Sequence, residues 1–585
     1  MTGQGLARAV AGRPRVVLVL FCLALWLPGL FALPPGDRDE SRFAQATKQM
    51  IETGDYVRIM NGAEARNRKP IGIHWLQAPF ALAARAAGVA EGNPIWPYRV
   101  PSVLGGLLAV LATHALGRRL AGERAALLAG MMLGASVLLV VEVHIAKTDA
   151  ALLGATTLAM AVLGRAYLAP RGDAPGEAVG PGAAAVFWLA VGAGVLLKGP
   201  ITPMVAGLCV LALVAWDRAA GRGGAGWLRA LRAQWGVPLM LAVVLPWFVA
   251  IGVATHGAFL SQAVGGDLAA KLHGGDDAHG APPGLHLLLL PLLAFPGALA
   301  IVPALTGLWR GRAEPGARFL LAWAAPSWVV FELVPTKLPH YVLPLYPALC
   351  LAGAAWLVRA PRPSSPRWLR GVAWAGFGLG ALVLGGGGAA LPFVLARVAQ
   401  GAAGAGGVAG GGVAPWLGVP ALAAAALVAW LVARRGVGRA VAGRAGGVAG
   451  GRLAAGLVAM PLLYAAVLWL ELPRLGPLWV APRAEAVLRA DWPGWNAAGR
   501  GLAAVGFAEP SLMFLAGTEL RWMSADEAGA AWATGGLGAV LVAEPDRAAF
   551  EAALARAQAT ARPVAAVDGY NYSRGRKVHL TLFVR

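Results

Sequence analysis

The chain has 585 residues, 58% of them hydrophobic and only 14% charged, and its mean hydropathy is +0.62. A soluble protein of ordinary composition carries about 25% charged residues, so a wholly water-soluble protein is excluded. The formal net charge of +21 looks like a nucleic-acid signal. The arginines, however, fall in short clusters between apolar runs, as the positive-inside rule distributes them in membrane proteins, and no nucleic-acid partner is expected.

In chain order, Arg8, Arg13 and Arg15 precede an apolar run from Val16 to about Leu33. The run passes into Pro34-Pro35-Gly36 without a small-residue cleavage site, so it reads as a first membrane span with a cytoplasmic N-terminus. A polar segment from Asp37 to about His74 follows, with Phe43, Ala46, Met50 and Ile51 on one helical stripe. The next piece, Trp75 to Ala90, is apolar but short and holds Arg85, and it reads as an interfacial helix. Treating it as non-spanning puts Arg118, Arg119 and Arg124 in the cytoplasm.

Further spans are then expected at 98–116, 125–145, 150–168, 183–198, 201–216, 236–254, 285–309, 319–335, 341–358, 372–396, 415–433 and 453–471. With the first, these make about thirteen, each close to the length that crosses a hydrocarbon core of about 30 Å. This single assignment gathers nearly all short-loop arginines on one side, including Arg218–Arg232, Arg310–Arg318, Arg359–Arg370 and Arg434–Arg452. The expected division is a membrane unit, 1–471, whose first outer loop spans about 34–97, and a tail, 472–585. In the tail, β-rich runs (Ser511–Ala516, Gly538–Ala543, Val578–Val584) alternate with helical stretches (Ala525–Ala533, Pro545–Thr560). That pattern reads as a small α/β domain, placed outside by the odd span count and expected to be accessory, because it lacks an acid–base cluster. Cys22, Cys209 and Cys350 lie in apolar spans and read as packing residues.

The first polar loop is the densest candidate site. Asp37-Arg38-Asp39-Glu40 follows the first span, Arg42 comes one turn later, and Arg66, Arg68, Lys69-Pro70 and His74-Trp75 complete the loop. A carboxylate there can deprotonate an attacking hydroxyl or amine, and cations can hold a lipid phosphate; the competing reading is a solvated loop with ordinary ion pairs. Ionisable residues also mark the outer ends of spans: Asp149 in Ala146-Lys147-Thr148-Asp149, Lys198 before Gly199-Pro200, and Lys337-Leu338-Pro339-His340-Tyr341. Charge at a membrane margin is costly and points to function, with snorkelling as the alternative for the lysines. The loop Gly265 to Gly284 adds Asp267, Lys271, His273, Asp276, Asp277 and His279, in a spacing that matches no defined metal motif.

Three stretches carry a family resemblance. They are Leu33-Pro-Pro-Gly-Asp-Arg-Asp-Glu-Ser-Arg-Phe-Ala-Gln-Ala-Thr-Lys-Gln-Met with Glu52-Thr-Gly-Asp-Tyr; Arg68-Lys-Pro-Ile-Gly-Ile-His-Trp-Leu-Gln; and Thr336-Lys-Leu-Pro-His-Tyr-Val-Leu-Pro-Leu-Tyr-Pro-Ala-Leu. Together they resemble the bacterial lipid A aminoarabinose transferase-like glycosyltransferases, which belong with the protein O-mannosyltransferases in family 39 and share the GT-C membrane fold.

The resemblance implies transfer of a sugar, with inversion, from a polyprenyl-phosphate donor such as undecaprenyl phosphate to a cell-envelope acceptor such as lipid A or another glycolipid. The reaction would take place at the periplasmic face of the inner membrane. It places Asp39 at the catalytic carboxylate and Lys69 at the lysine that contacts the lipid phosphate. Arg42, Asp149, Lys198, Lys337, His340 and Tyr341 are the further expected substrate-binding residues. Where aminoarabinose transferases often have Glu before the lysine, this chain has Arg68, which counts against a divalent-metal site using that Glu and against aminoarabinose as the sugar; a divalent metal stays a candidate cofactor, with none required. No nucleotide-binding fingerprint is present. The main alternative, a flippase of lipid-linked sugars, would need charges near the midplane and internal repeats.

Overall fold

The computed structural model describes residues 12–89, 91–171, 179–222, 224–268, 280–359, 364–400, 413–434, 448–494 and 501–585. Helix α1, Pro14–Ala32, begins with proline at its first turn, where no N–H is needed, and buries Leu18, Cys22, Leu25 and Trp26. Pro34 and Pro35 stop it. Helix α2, Asp39–Thr53, buries the expected stripe of Phe43, Ala46 and Met50, while Ile51 is half-buried. It ends at Gly54, whose φ of +72° is the left-handed cap that favours glycine. Two short strands, β1 (Met60–Asn61) and β2 (Glu64–Ala65), form a hairpin ahead of helix α3, Gly72–Ala86. At about 1.5 Å per residue, its 15 residues fall short of a crossing.

Helix α4, Trp96–Ala135, runs 40 residues but is broken at Gly122 (φ 79°, ψ 174°), beside the Arg118–Arg124 cluster. Extended Ser136 separates it from the short helix α5, Val137–Val143. A turn through Lys147 then leads into helix α6, Asp149–Leu168. The 125–145 span is thus two helical pieces. Helices α4 and α6 pack almost backbone to backbone. A side chain on Gly105 would collide with Ala151, and one on Gly154 would stand 2.6 Å from the Gly105 carbonyl. Small residues of this kind are what permit close helix approach in a membrane. Helix α7, Pro181–Lys198, packs on α6 and ends at Gly199 (φ 64°).

Among the described residues, ten helices are long and apolar enough to cross a membrane; the chain is a multi-pass membrane protein. The expected thirteen also counts the second half of α4, the 285–309 segment and Pro315–Leu333 as spans, and length and composition alone establish ten. The 285–309 segment is two helices, Leu285–Leu293 and Ala298–Arg310. Pro296 lies between them, and the residue before a proline is pushed out of the helical region.

The tail forms a five-stranded sheet of order β4-β3-β5-β7-β6, with β3 (Leu502–Val505), β4 (Arg521–Trp522), β5 (Ala539–Ala543), β6 (Arg562–Asn571) and β7 (Arg576–Val584). β4, β3 and β5 are parallel, whereas β7 is antiparallel to both β5 and β6. The runs at Gly538–Ala543 and Val578–Val584 are strands as expected. Ser511–Ala516 is instead the helix Pro510–Ala516, entirely buried. A six-residue apolar run does not by itself distinguish a buried strand from a buried helix, and Pro510 at the first helical turn is what decides it. β3, β4 and β6 were not anticipated. The sheet shares one apolar core with the first loop: Leu502, Ala504, Leu541, Leu580 and Leu582 cluster with Ala44 of α2, Ala81 of α3 and Tyr98 of α4.

Two polar anchors fix the first loop. The Arg99 guanidinium donates to Glu40 Oε1 and Oε2 at 2.8 and 2.9 Å and to the carbonyls of Leu33 and Pro34 at 2.7 and 2.9 Å. The same carboxylate accepts from the N–H groups of Gly36 and Ala146 at 2.7 and 2.9 Å. Removing one partner of a buried pair leaves the other uncompensated, at a cost of about 3–5 kcal/mol. Glu40→Ala is therefore expected to lower the unfolding midpoint of detergent-solubilised protein sharply, and an unchanged midpoint would contradict this role.

The second anchor is Asp37, whose carboxylate accepts from Ser511 and whose N–H donates to Tyr572 Oη at 2.7 Å. Burial raises the Asp37 pKa to about 6 against the opposing Ser511 hydrogen bond. The folded state therefore holds this proton more tightly than the unfolded chain. The resulting stability is present below about pH 4 and is lost as pH rises through about 6. The midpoint advantage of wild type over Asp37→Asn is expected to shrink between those pH values, and an advantage that grows with pH would contradict the assignment.

Candidate active site

Helix ends from distant parts of the chain converge beside α2. Lys147, in the turn before α6, lies 3.1 Å from Glu142 Oε2 and 3.5 Å from Asp149 Oδ2. Lys198, the last residue of α7, reaches Asp149 Oδ1 at 2.5 Å. His340, from the turn Pro339–Leu345, sits with Nε2 3.7 Å from Asp149 Oδ1 and Nδ1 3.6 Å from Glu142 Oε1. The Tyr341 ring lies 5.3 Å from Lys198 Nζ and meets His340 edge-on. Lys69 is near enough to His340, and Asp39 to Lys147, to act on their charge. Burial disfavours the Lys147 ammonium, but Asp149 and Glu142 outweigh it and hold its pKa above the usual lysine value. A buried lysine that remains charged is a fixed cation available to an anionic ligand.

Asp39 occupies the rim. It opens α2, its side chain is 58% exposed, and its nearest cations are Arg66 Nη2 at 3.7 Å and Arg42 Nη1 at 4.0 Å. Ion pairs this long and exposed hold a side chain only weakly. The Arg66 guanidinium also lies over the Phe43 ring at 4.4 Å. The two neighbouring acids are committed elsewhere, Glu40 to Arg99 and Asp37 to Ser511. Asp39 is therefore the acid of the three that remains open to solvent. His74 is buried against Thr47, its Nδ1 2.7 Å from Thr47 Oγ1. Burial and Arg66 lower its pKa to about 3, which makes it a neutral packing residue.

Of the expected residues, Asp149, Lys198, His340 and Tyr341 meet directly, Lys69 and Asp39 border them, and Arg42 joins through Asp39. Lys337 does not join them in any described contact; its Nζ turns back to the Val334 carbonyl at 2.8 Å. Glu142 and Lys147 were missed as site residues, and Arg66 was read only as part of the loop. A single acid in the apolar run Val137–Val143 was the available signal for Glu142. Lys271, His273, Asp276, Asp277 and His279 lie outside the described residues, as does the side chain of Asp267. Among the described residues, no three His, Cys, Asp or Glu side chains are grouped to hold a metal ion, and Glu142 and Asp149 are matched instead by lysines.

The family model for dolichyl-phosphate-mannose-protein mannosyltransferases matches residues 41–258. The undecaprenyl phosphate-alpha-4-amino-4-deoxy-L-arabinose arabinosyl transferase of Pseudomonas paraeruginosa is 28% identical over 363 residues, 62% of this chain and 60% of that protein. The transferase of the same name from Edwardsiella ictaluri is 28% identical over 351 residues, 59% and 58% of the two chains. The match thus spans about 60% of the length of these relatives. Among solved structures, ArnT from Cupriavidus metallidurans bound to undecaprenyl phosphate superposes with a TM-score of 0.70 at 20% identity, over 97% of each chain. The oligosaccharyltransferase AglB of Archaeoglobus fulgidus gives 0.50 at 13% identity, over 90% of this chain and 69% of that one. The chain is thus a multi-pass membrane protein with the GT-C fold of ArnT, and it resembles the family 39 glycosyltransferases that its first-loop sequence points to.

Proposed function

We propose that this protein transfers a sugar from a polyprenyl-phosphate donor, undecaprenyl phosphate by analogy with the relatives, to a hydroxyl or amine of an envelope glycolipid such as lipid A. The observation that carries this reading is the convergence of Lys147, Lys198 and His340, bordered by Lys69, next to an exposed carboxylate at the ends of membrane helices. In the reaction, the acceptor oxygen or nitrogen bonds to the anomeric carbon as the bond from that carbon to the phosphate oxygen breaks. The electron pair leaves with the lipid phosphate and the acceptor proton passes to Asp39. Lys69 and the adjacent lysines neutralise the charge that grows on the leaving phosphate. The long prenyl chain keeps the donor in the bilayer, which accounts for a site at the membrane margin.

In this reading the membrane unit, 1–471, carries the chemistry on its first loop. The tail, 472–585, sits over that loop, and both face the periplasm of an inner-membrane protein whose N-terminus is cytoplasmic. A reporter active only in the cytoplasm, fused after Arg585, is expected to be silent; activity there would reverse the orientation.

The reaction itself is tested by release of radiolabelled sugar from a polyprenyl-phosphate donor by purified, folded protein. Asp39→Asn removes the base and is expected to cost about 10²–10⁴ in rate with donor binding retained. Lys69→Ala is expected to weaken donor binding and also to slow transfer. Asp37→Asn is expected to cost much less than Asp39→Asn. If Asp37→Asn is inactive while Asp39→Asn is normal, the base is misassigned; if both are normal, the first loop is not the active site.

A further inference from the structure

Asp39 has little hold of its own, yet the residues just before it are gripped from the far end of the chain. Arg38 has φ 61° and ψ −112°, a left-handed backbone that a non-glycine side chain adopts only when its surroundings impose it. The imposing contacts come from the tip of the β6–β7 hairpin. Tyr572 Oη accepts from the Asp37 N–H at 2.7 Å, and the Ser573 carbonyl accepts from Arg38 Nη2 at 2.7 Å.

The tip is itself braced. Asn571 Oδ1 accepts from the N–H groups of Ser573 and Arg574 at 3.0 and 3.1 Å. Buried Glu509 accepts from Asn571 Nδ2 at 2.8 Å and Arg574 Nε at 2.9 Å. Glu509 immediately precedes the helix that carries Ser511, the donor to the Asp37 carboxylate. Further along α2, Gln45 Nε2 donates to Thr518 Oγ1 at 2.8 Å and Lys48 Nζ to the Phe514 carbonyl at 3.2 Å. The axis of α2 is thus fixed on the same domain that fixes its first turn.

We propose that the C-terminal domain is the positioning element for Asp39, with Tyr572 and the hairpin tip holding Asp37–Arg38 in the strained conformation that presents the carboxylate at the start of α2. This rests on the glycosyl-transfer reading and refines the expected accessory role of the tail: the domain supplies no reacting group but sets where one stands. A carboxylate displaced by a fraction of an ångström still binds counter-charges but no longer meets the acceptor proton, so rate falls before affinity does.

The test uses the full-length protein and Tyr572→Phe, which removes only the hydrogen-bond acceptor and keeps the ring against Trp479. Turnover of a radiolabelled undecaprenyl-phosphate-linked sugar, affinity for undecaprenyl phosphate, unfolding midpoint and amide hydrogen exchange at residues 38–42 are measured together. Arg547→Ala, in the same domain but away from the hairpin, is the control and should match wild type. The expected result for Tyr572→Phe is a fall in kcat of about tenfold, undecaprenyl-phosphate affinity and midpoint near wild type, and faster exchange at 38–42. Normal kcat in Tyr572→Phe, where wild type turns over and Asp39→Asn does not, overturns the proposal. So does a loss of kcat matched by equal losses of affinity and midpoint. Should wild type itself fail to turn over, the glycosyl-transfer reading falls, while unchanged exchange at 38–42 would separately overturn the clamp.

Discussion

One buried carboxylate holds the site's two halves in register. Glu40 is paired with Arg99 and also accepts the Ala146 N–H. Its sequence neighbour on one side of that contact is Asp39, and Ala146 is the neighbour of Lys147. The exposed acid on the first loop and the buried cation between the membrane helices are therefore tied through adjacent backbone atoms and a single side chain. Arg99 extends the same link to the carbonyls where the first span ends. The pair adds to the Asp37–Ser511 anchor on the loop and to the Gln77 and Ser102 hydrogen bonds that hold the carbonyls of the α5–α6 turn, and it joins the two.

The cluster itself follows from the cost of charge at a membrane margin. Burial disfavours the Lys147 ammonium, but Glu142 and Asp149 lie against it and outweigh that cost, while Lys198 pairs with Asp149; the carboxylates are tolerated because they are paired. A phosphate entering such a site finds cations already in place, so little reorganisation is needed when charge develops on it. The histidine and tyrosine of the Pro339–Leu345 turn close the other side.

Much of this was legible in the sequence, for identifiable reasons. Hydropathy marks long apolar helices because lipid leaves the backbone no other partner, and the α2 stripe of Phe43, Ala46 and Met50 is a plain 3.6-residue period. Asp149, Lys198 and His340 were readable because ionisable residues at membrane margins are costly and uncommon without cause, and Tyr341 through the motif it shares with His340. Glu142 and Lys147 escaped because a lone acid and a lone lysine close together in sequence do not reveal that His340, 193 residues beyond Lys147, packs against both. The helix at Pro510–Ala516 escaped because a buried six-residue run has no exposed face to reveal its period. The contacts of Tyr572 and Ser573 with Asp37 and Arg38, separated by 535 residues, have no local signature at all.

The central claim is that a polyprenyl phosphate places its phosphate among Lys69, Lys147 and Lys198, beside Asp39. Photo-crosslinking with a polyprenyl phosphate bearing a reactive group next to the phosphate, followed by peptide mapping, tests it most directly. The account predicts labelled peptides covering 66–74, 144–150 and 337–341, with labelling competed by unmodified undecaprenyl phosphate. Competable labelling confined to the opposite ends of the helices, such as the Trp356–Trp374 region, would contradict it.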